Sequence, residues 1–443
     1  MTRSIVWFHD DLRLADNPAL SHALAESTEV VPVFIWAPEE RAPWEPGAAS
    51  NWWLHHSLQA LSEALRERGS ELVILRGPSQ RALQELVTQV GAHAVYWNRR
   101  YEPALIARDR TLKAALGEQG ITAKSFNGKL LQEPWEIQNG SKQPYRVFTP
   151  FHRASALKKV ALPLSTPRSL PGPSGLSRLR IVDLQLLPTR DWAKRFSALW
   201  QPGEIGAKAR LAKLKSLGRH YATQRDRPDL EGTTRLSPHL AFGEVSPRQV
   251  LRALGDHGPE IARQLYWREF AYHLLYHFPH ATLEPLRPEF THFPWRDDAQ
   301  QLECWRRGST GEPFVDAAMQ QLWQTGWMHN RARMVVGSFL VKNLLLPWQH
   351  GARWFWDTLV DADLANNSLG WQWVAGSGAD AAPYFRIFNP ETQAEKFDPA
   401  AKYRQSWRSA ASRSRAEPLI DTRSARMRAL MAYDTLRSRS AKA

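Results

Sequence analysis

Cysteine is almost absent from this chain of 443 residues, since Cys304 is the only one. A single thiol excludes a disulfide-stapled scaffold and any zinc site built on several cysteines, and it fits a reducing cytosol. We expect its side chain to be buried. No apolar run is long enough to span a membrane, and the first residues, MTRSIVWFHDD, lack the apolar core of a signal peptide. The sequence therefore predicts a cytoplasmic protein.

Several motifs of cofactor and metal chemistry are also missing. The chain contains no HExxH and no GxxxxGK[ST], and its histidines show no ligand spacing, so we expect no metal catalysis. GSGADA, at 376–381, matches GxGxxA. Its flanks are WQWVA and a prolyl turn, whereas the dinucleotide fingerprint needs a preceding apolar strand. The match therefore carries little weight.

What the chain has in excess is positive charge and tryptophan. Its 58 Lys and Arg outnumber 44 Asp and Glu, for a formal net charge of +14 and a pI of about 10.0. That balance favours an anionic partner, and nucleic acid is the first candidate. There are 20 tryptophans, and more than half of them lie at or after Trp267.

The chain divides into an alternating half and a helical half. Short β-rich runs alternate with helical patterns in the first 130 residues, which predicts a parallel α/β sheet of Rossmann-like type. The runs are 4–8, 30–36, 71–75 and 94–97, and the clearest helices between them are 51–69 and 79–91. A Pro- and Gly-rich stretch at 162–175 reads as an extended linker.

Helical patterns dominate after about residue 195, including a long one at 204–226. We expect an α/β domain, a linker, an all-α domain and a basic C-terminal tail, at 1–132, 133–195, 196–407 and 408–443. The tail is expected to be partly ordered, with a solvated extension as the alternative.

Hydroxyls surround an arginine in the segment EGTTRLSP. Ser237 precedes Pro238, which suits the cap and first turn of a helix. A helix N-terminus with Thr233, Thr234 and Arg235 beside it would bind an anion such as a pyrophosphate. An ordinary capped helix is the alternative reading.

Two further segments place mixed side chains on one helical face. In GWMHNRARM, Asn330, Arg333 and Met334 fall at i, i+3 and i+4, a reasonable binding wall. A buried Arg333 needs an acid, and either Asp361 or Asp363 could supply it. A structural ion pair is the competing interpretation.

The stretch DADLANNSLGWQWVAGSGADAAPYFRIFNP (361–390) combines polar groups, two indoles and little bulk. This composition suits the wall of a cavity. In a helix, Trp371 and Trp373 would lie about 200° apart and point to nearly opposite sides.

These segments resemble the photolyase/cryptochrome family, and within it the bacterial cyclobutane pyrimidine dimer photolyases. The resemblance runs from residue 7 to 407. Its most specific blocks are EGTTRLSPHLAFGEVSPRQV, WREFAYHLLYHFP, TGWMHNRARM, VKNLLLPW and DADLANNSLGWQW…DAAPYFRIFNP. The blocks WREFAYHLLYHFP and WFWDTLVDADL are also similar to the branch near plant cryptochromes.

The resemblance implies a helical domain that holds FAD and repairs pyrimidine dimers by light-driven electron transfer from the reduced flavin. Its FAD-binding positions are Tyr221, Thr233, Thr234, Arg235, Leu236, Ser237, Arg268, Arg333, Asp361, Asp363 and Asn367, the last at flavin N5. A dimer must be flipped out of the duplex to reach the flavin, and photolyases are a known example of flipping.

For the lesion, the resemblance implies walls at Trp267 and Trp373, with Gln264, Asn330 and Met334 at the dimer. Arg225 and Arg386 would contact DNA phosphates. Trp371, Trp348 and Trp295 match the family's electron-transfer chain to the surface. DNA containing pyrimidine dimers is the implied partner, and we expect a monomer.

Three departures from the family's pattern stand out. Gln264 occupies a position where many repair enzymes carry glutamate, which predicts slower or altered repair. Ile261 stands where relatives often have a flavin-contacting tryptophan. Ala104 and Leu105 replace the Asn and Glu of folate-antenna relatives, so a folate antenna is not expected; a deazaflavin, another flavin or no antenna remains open.

A cryptochrome-like blue-light photoreceptor that binds FAD without repair is the alternative function. Gln264 and the basic tail favour it, and the complete lesion pocket disfavours it. Repair of the (6–4) photoproduct is a third and less favoured function. One branch of the family with that activity needs a pair of histidines, and WMHNR supplies only His329.

Overall fold

The computed structural model describes residues 2–177, 179–188, 191–381, 386–407 and 417–440. Five parallel strands form one sheet in the order β3-β2-β1-β4-β5. They are β1 Arg3–Phe8, β2 Glu29–Trp36, β3 Val73–Arg76, β4 Ala94–Asn98 and β5 Thr122–Phe126. Four helices connect or flank them: α1 Pro18–Glu26, α2 Ala48–Arg66, α3 Ser79–Val90 and α4 Pro103–Glu118.

Both faces of the sheet are buried, which explains why its central strands are almost continuously apolar. Ile5 pairs with Val31 on one side and Val95 on the other. Ile5 belongs to one apolar cluster, and its neighbour Val6 belongs to a second. Successive side chains of β1 therefore enter opposite faces, as strand geometry requires.

The rest of the chain is helical, with no further strand in the part that the structure describes. Its helices are α5 Phe148–Ala156, α6 Phe196–Leu199, α7 Glu204–Leu211, α8 Leu214–Gly218, α9 Tyr221–Gln224, α10 Ser237–Ala241, α11 Pro247–Leu254, α12 Pro259–His277, α13 Ala299–Arg307, α14 Pro313–Thr325, α15 Asn330–Ser338, α16 Trp348–Thr358, α17 Leu364–Ala375, α18 Pro390–Phe397, α19 Lys402–Ser406 and α20 Thr422–Ser440. A π-helical turn, Phe339–Asn343, extends α15.

Buried polar contacts join the sheet to the helical part. Arg13 donates to the carbonyl oxygens of Gly243 and Gly128, at 2.8 and 2.6 Å. On α2, Trp53 donates through Nε1 to Glu244, at 2.9 Å. Because buried polar groups must be paired, these bonds help to fix the two parts against each other.

Several expectations from the sequence were wrong in detail. The long helical pattern at 204–226 is three short helices, α7, α8 and α9. Cys304 is half-buried rather than buried. In the tail, residues 408–416 and 441–443 lie outside the described residues. The part that forms α20 buries one face, because Ala429 and Leu436 pack in one cluster with Phe290.

Within the described ranges, no helix has the length and apolarity needed to cross a membrane. The same ranges contain no group of three or more His, Cys, Asp or Glu side chains that could hold a metal ion.

Candidate active site

An ion pair closes one side of the candidate site. The Arg333 guanidinium, on α15, donates to both carboxylate oxygens of Asp361, at 3.0 and 2.8 Å. Asp361 is nearly fully buried, and Arg333 also donates through Nε to the carbonyl oxygen of Met328, at 2.8 Å. Of the two acids left open by the sequence, Asp361 is the partner of Arg333.

Asp363 has a different task, since it is the N-cap of α17. Its carboxylate accepts from the backbone N–H of Asn366, at 2.9 Å, and from the hydroxyl of Tyr272. A capping carboxylate satisfies an otherwise unpaired N–H and suits the positive end of the helix dipole. One turn later, the Asn367 amide donates to the carbonyl oxygen of Ala352 on α16, at 3.0 Å.

Arg268 lies deep in the same region, on α12. Its Nη1 donates to the Lys129 carbonyl oxygen at 3.0 Å, and its guanidinium lies 4.8 Å from the ring centre of Tyr272. Its Nη2 is buried and has no acceptor among the residues that the structure describes. Burial raises the pKa of the neighbouring Glu269 to about 7, against the opposing charge of Arg268.

The 233–237 segment turns sharply before α10. Arg235 has a left-handed backbone with φ of 50°, and the Leu236 N–H donates to the Thr234 hydroxyl, at 3.3 Å. Ser237 is the first residue of α10 and not its cap, so that expectation was wrong; Leu236 takes the cap position. The Ser237 hydroxyl instead accepts from Trp327 Nε1, at 3.3 Å.

These segments fit a large anionic cofactor. Like Arg268, Arg235 has a buried guanidinium nitrogen, Nε, that lacks an acceptor among the described residues. Buried donors of this kind are usually paired, so they indicate a missing acceptor. Tyr221 and Leu236 pack in one apolar cluster that also contains Ile261.

Gln264 and Trp267 lie one turn apart on α12. The Gln264 side-chain oxygen accepts from Arg225 at 3.2 Å, and its amide nitrogen donates to the Glu260 carbonyl oxygen at 3.3 Å. The position that departs from the family's glutamate is thus bonded to a proposed phosphate contact. Trp267 is half-buried, with its ring stacked on Phe148.

Trp373, which the resemblance implies is the second lesion wall, lies on α17. The Arg386 guanidinium lies 5.9 Å from the Trp373 ring centre, and the Phe388 ring centre lies 6.3 Å from it. On α15, Asn330 Nδ2 lies 3.9 Å from Met334 Sδ, so those two side chains share a face. Residues 382–385, which lie beyond the small-residue stretch that follows Trp373, are outside the described residues.

Trp371 points to the other side of α17 and is buried, as its helical position predicts. Its ring packs edge-on against Phe355 and Trp305, with centroids 5.0 and 6.2 Å away. Trp348 is buried in the same apolar cluster, and Trp295 packs against it at the edge. Nothing in the segment around Trp305 distinguishes it from an ordinary core residue, so sequence patterns alone do not single it out.

A cavity of about 290 Å³ lies between the sheet and the helical part. Asp10 and Arg100 border it just beyond the ends of β1 and β4, where the strand order reverses. Ligands of open α/β sheets bind at such points. Ala104 and Leu105 line it, as do two indoles, Trp44 and Trp356, whose ring centres are 5.5 Å apart.

Comparison with known proteins places this arrangement in a family. Residues 261–435 match the FAD binding domain of DNA photolyase, and residues 4–169 match the DNA photolyase domain. A deoxyribodipyrimidine photo-lyase of Agrobacterium fabrum is 47% identical over 90% of this chain and 85% of its own length. Cryptochrome-2 of Arabidopsis thaliana is 37% identical over 91% of this chain and 70% of its own.

Among solved structures, a bacterial class III photolyase from Agrobacterium tumefaciens superposes with a TM-score of 0.93. The match covers 99% of this chain and 98% of that one, at 43% identity. With two domain models in the expected order and this degree of identity over most of its length, the chain belongs to the photolyase/cryptochrome family.

Proposed function

We propose that the protein is a deoxyribodipyrimidine photo-lyase, which uses light to reverse cyclobutane pyrimidine dimers in DNA. The observation that carries the proposal is the placement of two partly exposed indoles, Trp267 and Trp373, on α12 and α17. Arg268, on α12, and Asp363, the N-cap of α17, are proposed to lie on the FAD side. The similarity to photo-lyases over most of the chain supports it.

FAD would be held by groups on five segments of the helical part. Arg235 and the hydroxyls of 233–237 suit its phosphates, while Arg268 and the Arg333–Asp361 pair suit its ring side. Asn367 would lie at flavin N5, with an amide that can donate or accept. Reduced FAD supplies, when bound and excited by light, the electron that opens the dimer; the protein's part is to bind, orient and exclude water.

DNA binding would combine charge with stacking. The net charge of +14 attracts the phosphate backbone, so affinity should fall with salt. Arg225 and Arg386 would contact phosphates beside the lesion. Trp267 and Trp373 would take the flipped bases, at about 1–3 kcal/mol per stacked base, and Gln264, Asn330 and Met334 would meet their edges.

A blue-light photoreceptor without repair is the second candidate, favoured by the neutral Gln264 and by the similarity to a plant cryptochrome. Oligonucleotide binding measured in the dark distinguishes the repair enzyme from the photoreceptor. The repair function predicts tighter binding of an oligonucleotide with one thymine dimer than of the same undamaged sequence, by at least tenfold at a fixed salt concentration. Equal affinities would favour the photoreceptor.

We expect Gln264→Glu to raise the repair quantum yield. A carboxylate there would still pair with Arg225, and it would add the charge and proton-donating capacity that the amide lacks. The measurement is dimers reversed per absorbed photon in the fully reduced protein. Gln264→Met, which keeps volume without a hydrogen-bonding group, is the control and should lower the yield; equal yields for wild type and Gln264→Glu contradict the hypothesis.

The cavity of about 290 Å³ between the sheet and the helical part is our candidate site for an antenna chromophore. Two indoles, Trp44 and Trp356, line it, and it lies where the strand order reverses. Ala104→Trp should fill its mouth, since Ala104 is an exposed residue on the lining. We expect this variant to lose any absorbance beyond that of FAD, while its FAD content stays unchanged. Loss of both chromophores, or of neither, would argue against the assignment.

We also propose the division of the chain at 132, 195 and 407, and a monomeric state. Limited proteolysis followed by mass spectrometry tests the boundaries, and analytical ultracentrifugation tests the mass.

A further inference from the structure

Phe148, at the start of α5, covers one face of the proposed lesion wall. Its ring is almost parallel to that of Trp267, with an interplanar angle of 7° and centroids 3.6 Å apart. Stacked aromatic pairs usually have centroids 4.5–7 Å apart, so this contact is unusually close. Phe148 is 1% exposed, whereas Trp267 is half-buried and keeps part of its indole accessible.

Neighbouring side chains hold the Phe148 ring in place. His152, one turn along α5, is nearly parallel to it at 5.4 Å, and the Arg263 guanidinium lies 4.9 Å from its centre. Phe270 meets both Phe148 and Trp267 edge-on, at 5.9 and 6.1 Å. The indole therefore rests on a packed support and not on a free side chain.

The same residue also lies close to the segment that follows the second wall. Asp380 lies beyond the end of α17, the helix that carries Trp373. Burial raises the pKa of Asp380, while the backbone N–H of Phe148 and the charge of Arg263 lower it. Phe148 therefore contacts α12 with its side chain, and its backbone lies near the segment after α17.

We propose that Phe148 is a positioning residue for lesion recognition, which fixes the plane of Trp267 before the flipped dimer arrives. The inference rests on the proposed function, because it assumes that Trp267 stacks on the dimer. A wall that is already ordered loses less conformational freedom on binding, and this improves affinity for the specific ligand. Undamaged DNA inserts no base against Trp267, so its binding affinity would not depend on how well Trp267 is ordered.

The test compares the ratio of affinities for dimer-containing and undamaged oligonucleotides across matched variants. Phe148→Leu removes the ring, Phe148→Tyr keeps it, and Phe151→Leu makes the same change at another buried phenylalanine of α5. Phe151 packs on Phe270 and His273, with centroids 5.1 and 5.0 Å away. Flavin absorbance and melting temperature are measured alongside, and Phe148→Met, more adaptable in packing, replaces Phe148→Leu if that variant does not fold.

We expect Phe148→Leu to lower the affinity ratio roughly three- to tenfold, from the strength of aromatic pairs, with Phe148→Tyr and Phe151→Leu close to wild type. An unchanged ratio in Phe148→Leu, or an equal fall in Phe151→Leu, overturns the inference and leaves the proposed function intact. A wild-type protein that shows no preference for the dimer overturns the proposed function itself.

Discussion

Asp361→Asn should yield a protein that is less stable and poor in FAD. The substitution keeps the shape of the side chain but leaves the Arg333 guanidinium without its carboxylate in a mostly buried place. Removing one partner of a buried ion pair costs several kcal/mol; because Arg333 keeps 26% of its side chain exposed, we expect about 2–3 kcal/mol. The variant should also lose the fixed orientation of Arg333 that the proposed flavin site requires.

Two measurements check this expectation: the melting temperature of the protein, and the FAD content from the ratio of flavin to protein absorbance. Glu303→Gln is the matched control in the same helical part. It breaks the exposed pair between Glu303 and Arg307 on α13, and such pairs contribute at most about 1 kcal/mol. If both variants keep full FAD occupancy and the same melting temperature, Asp361 has no role in holding the site.

Gly351→Ala should displace Trp371 and abolish most light-driven reduction of the flavin. A β-carbon at Gly351, on α16, would lie 2.0, 2.4 and 2.5 Å from three atoms of the Trp371 ring, far inside van der Waals contact. The buried indole cannot move aside without disturbing Trp305 and Phe355. Overpacking of this kind costs about 1–3 kcal/mol, and more where the neighbour is rigid.

Gly370→Ala provides the control, because Gly370 lies on α17 directly before Trp371 and a β-carbon there meets open space. Alanine in a helix is favoured over glycine by roughly 0.5–1 kcal/mol, so this variant should be at least as stable as wild type. The rate of flavin reduction under blue light with an external reductant is compared. Equal rates in Gly351→Ala and Gly370→Ala would show that the position of Trp371 does not control electron entry.

The fold could be predicted from the sequence where burial leaves a strong pattern. β1, β2 and β4 lie close to the predicted runs, because strands buried on both faces read as continuous apolar segments. β5 was missed: its residues, TAKSF, are polar and half-exposed at the sheet edge, where little apolar surface is needed. The pattern at 204–226 did not reveal the breaks between three short helices.

Sequence patterns also predicted only some of the side-chain contacts in the candidate site. Helical spacing correctly separated Trp371 from Trp373, and the need to pair a buried charge correctly predicted an acid as the partner of Arg333. Neither could choose between Asp361 and Asp363, because the choice depends on which carboxylate the N-cap of α17 already uses. The contact between Phe148 and Trp267 joins two distant segments, and no local periodicity records such a contact.

The most direct test of the account is repair itself. The purified protein, with its FAD fully reduced, is illuminated with blue light in the presence of an oligonucleotide that contains one thymine dimer, and restored thymines are counted by chromatography against a dark control. We expect many dimers reversed per protein molecule in the light and none in the dark. A protein that holds reduced FAD and binds the oligonucleotide, yet restores no thymines in the light, would contradict it.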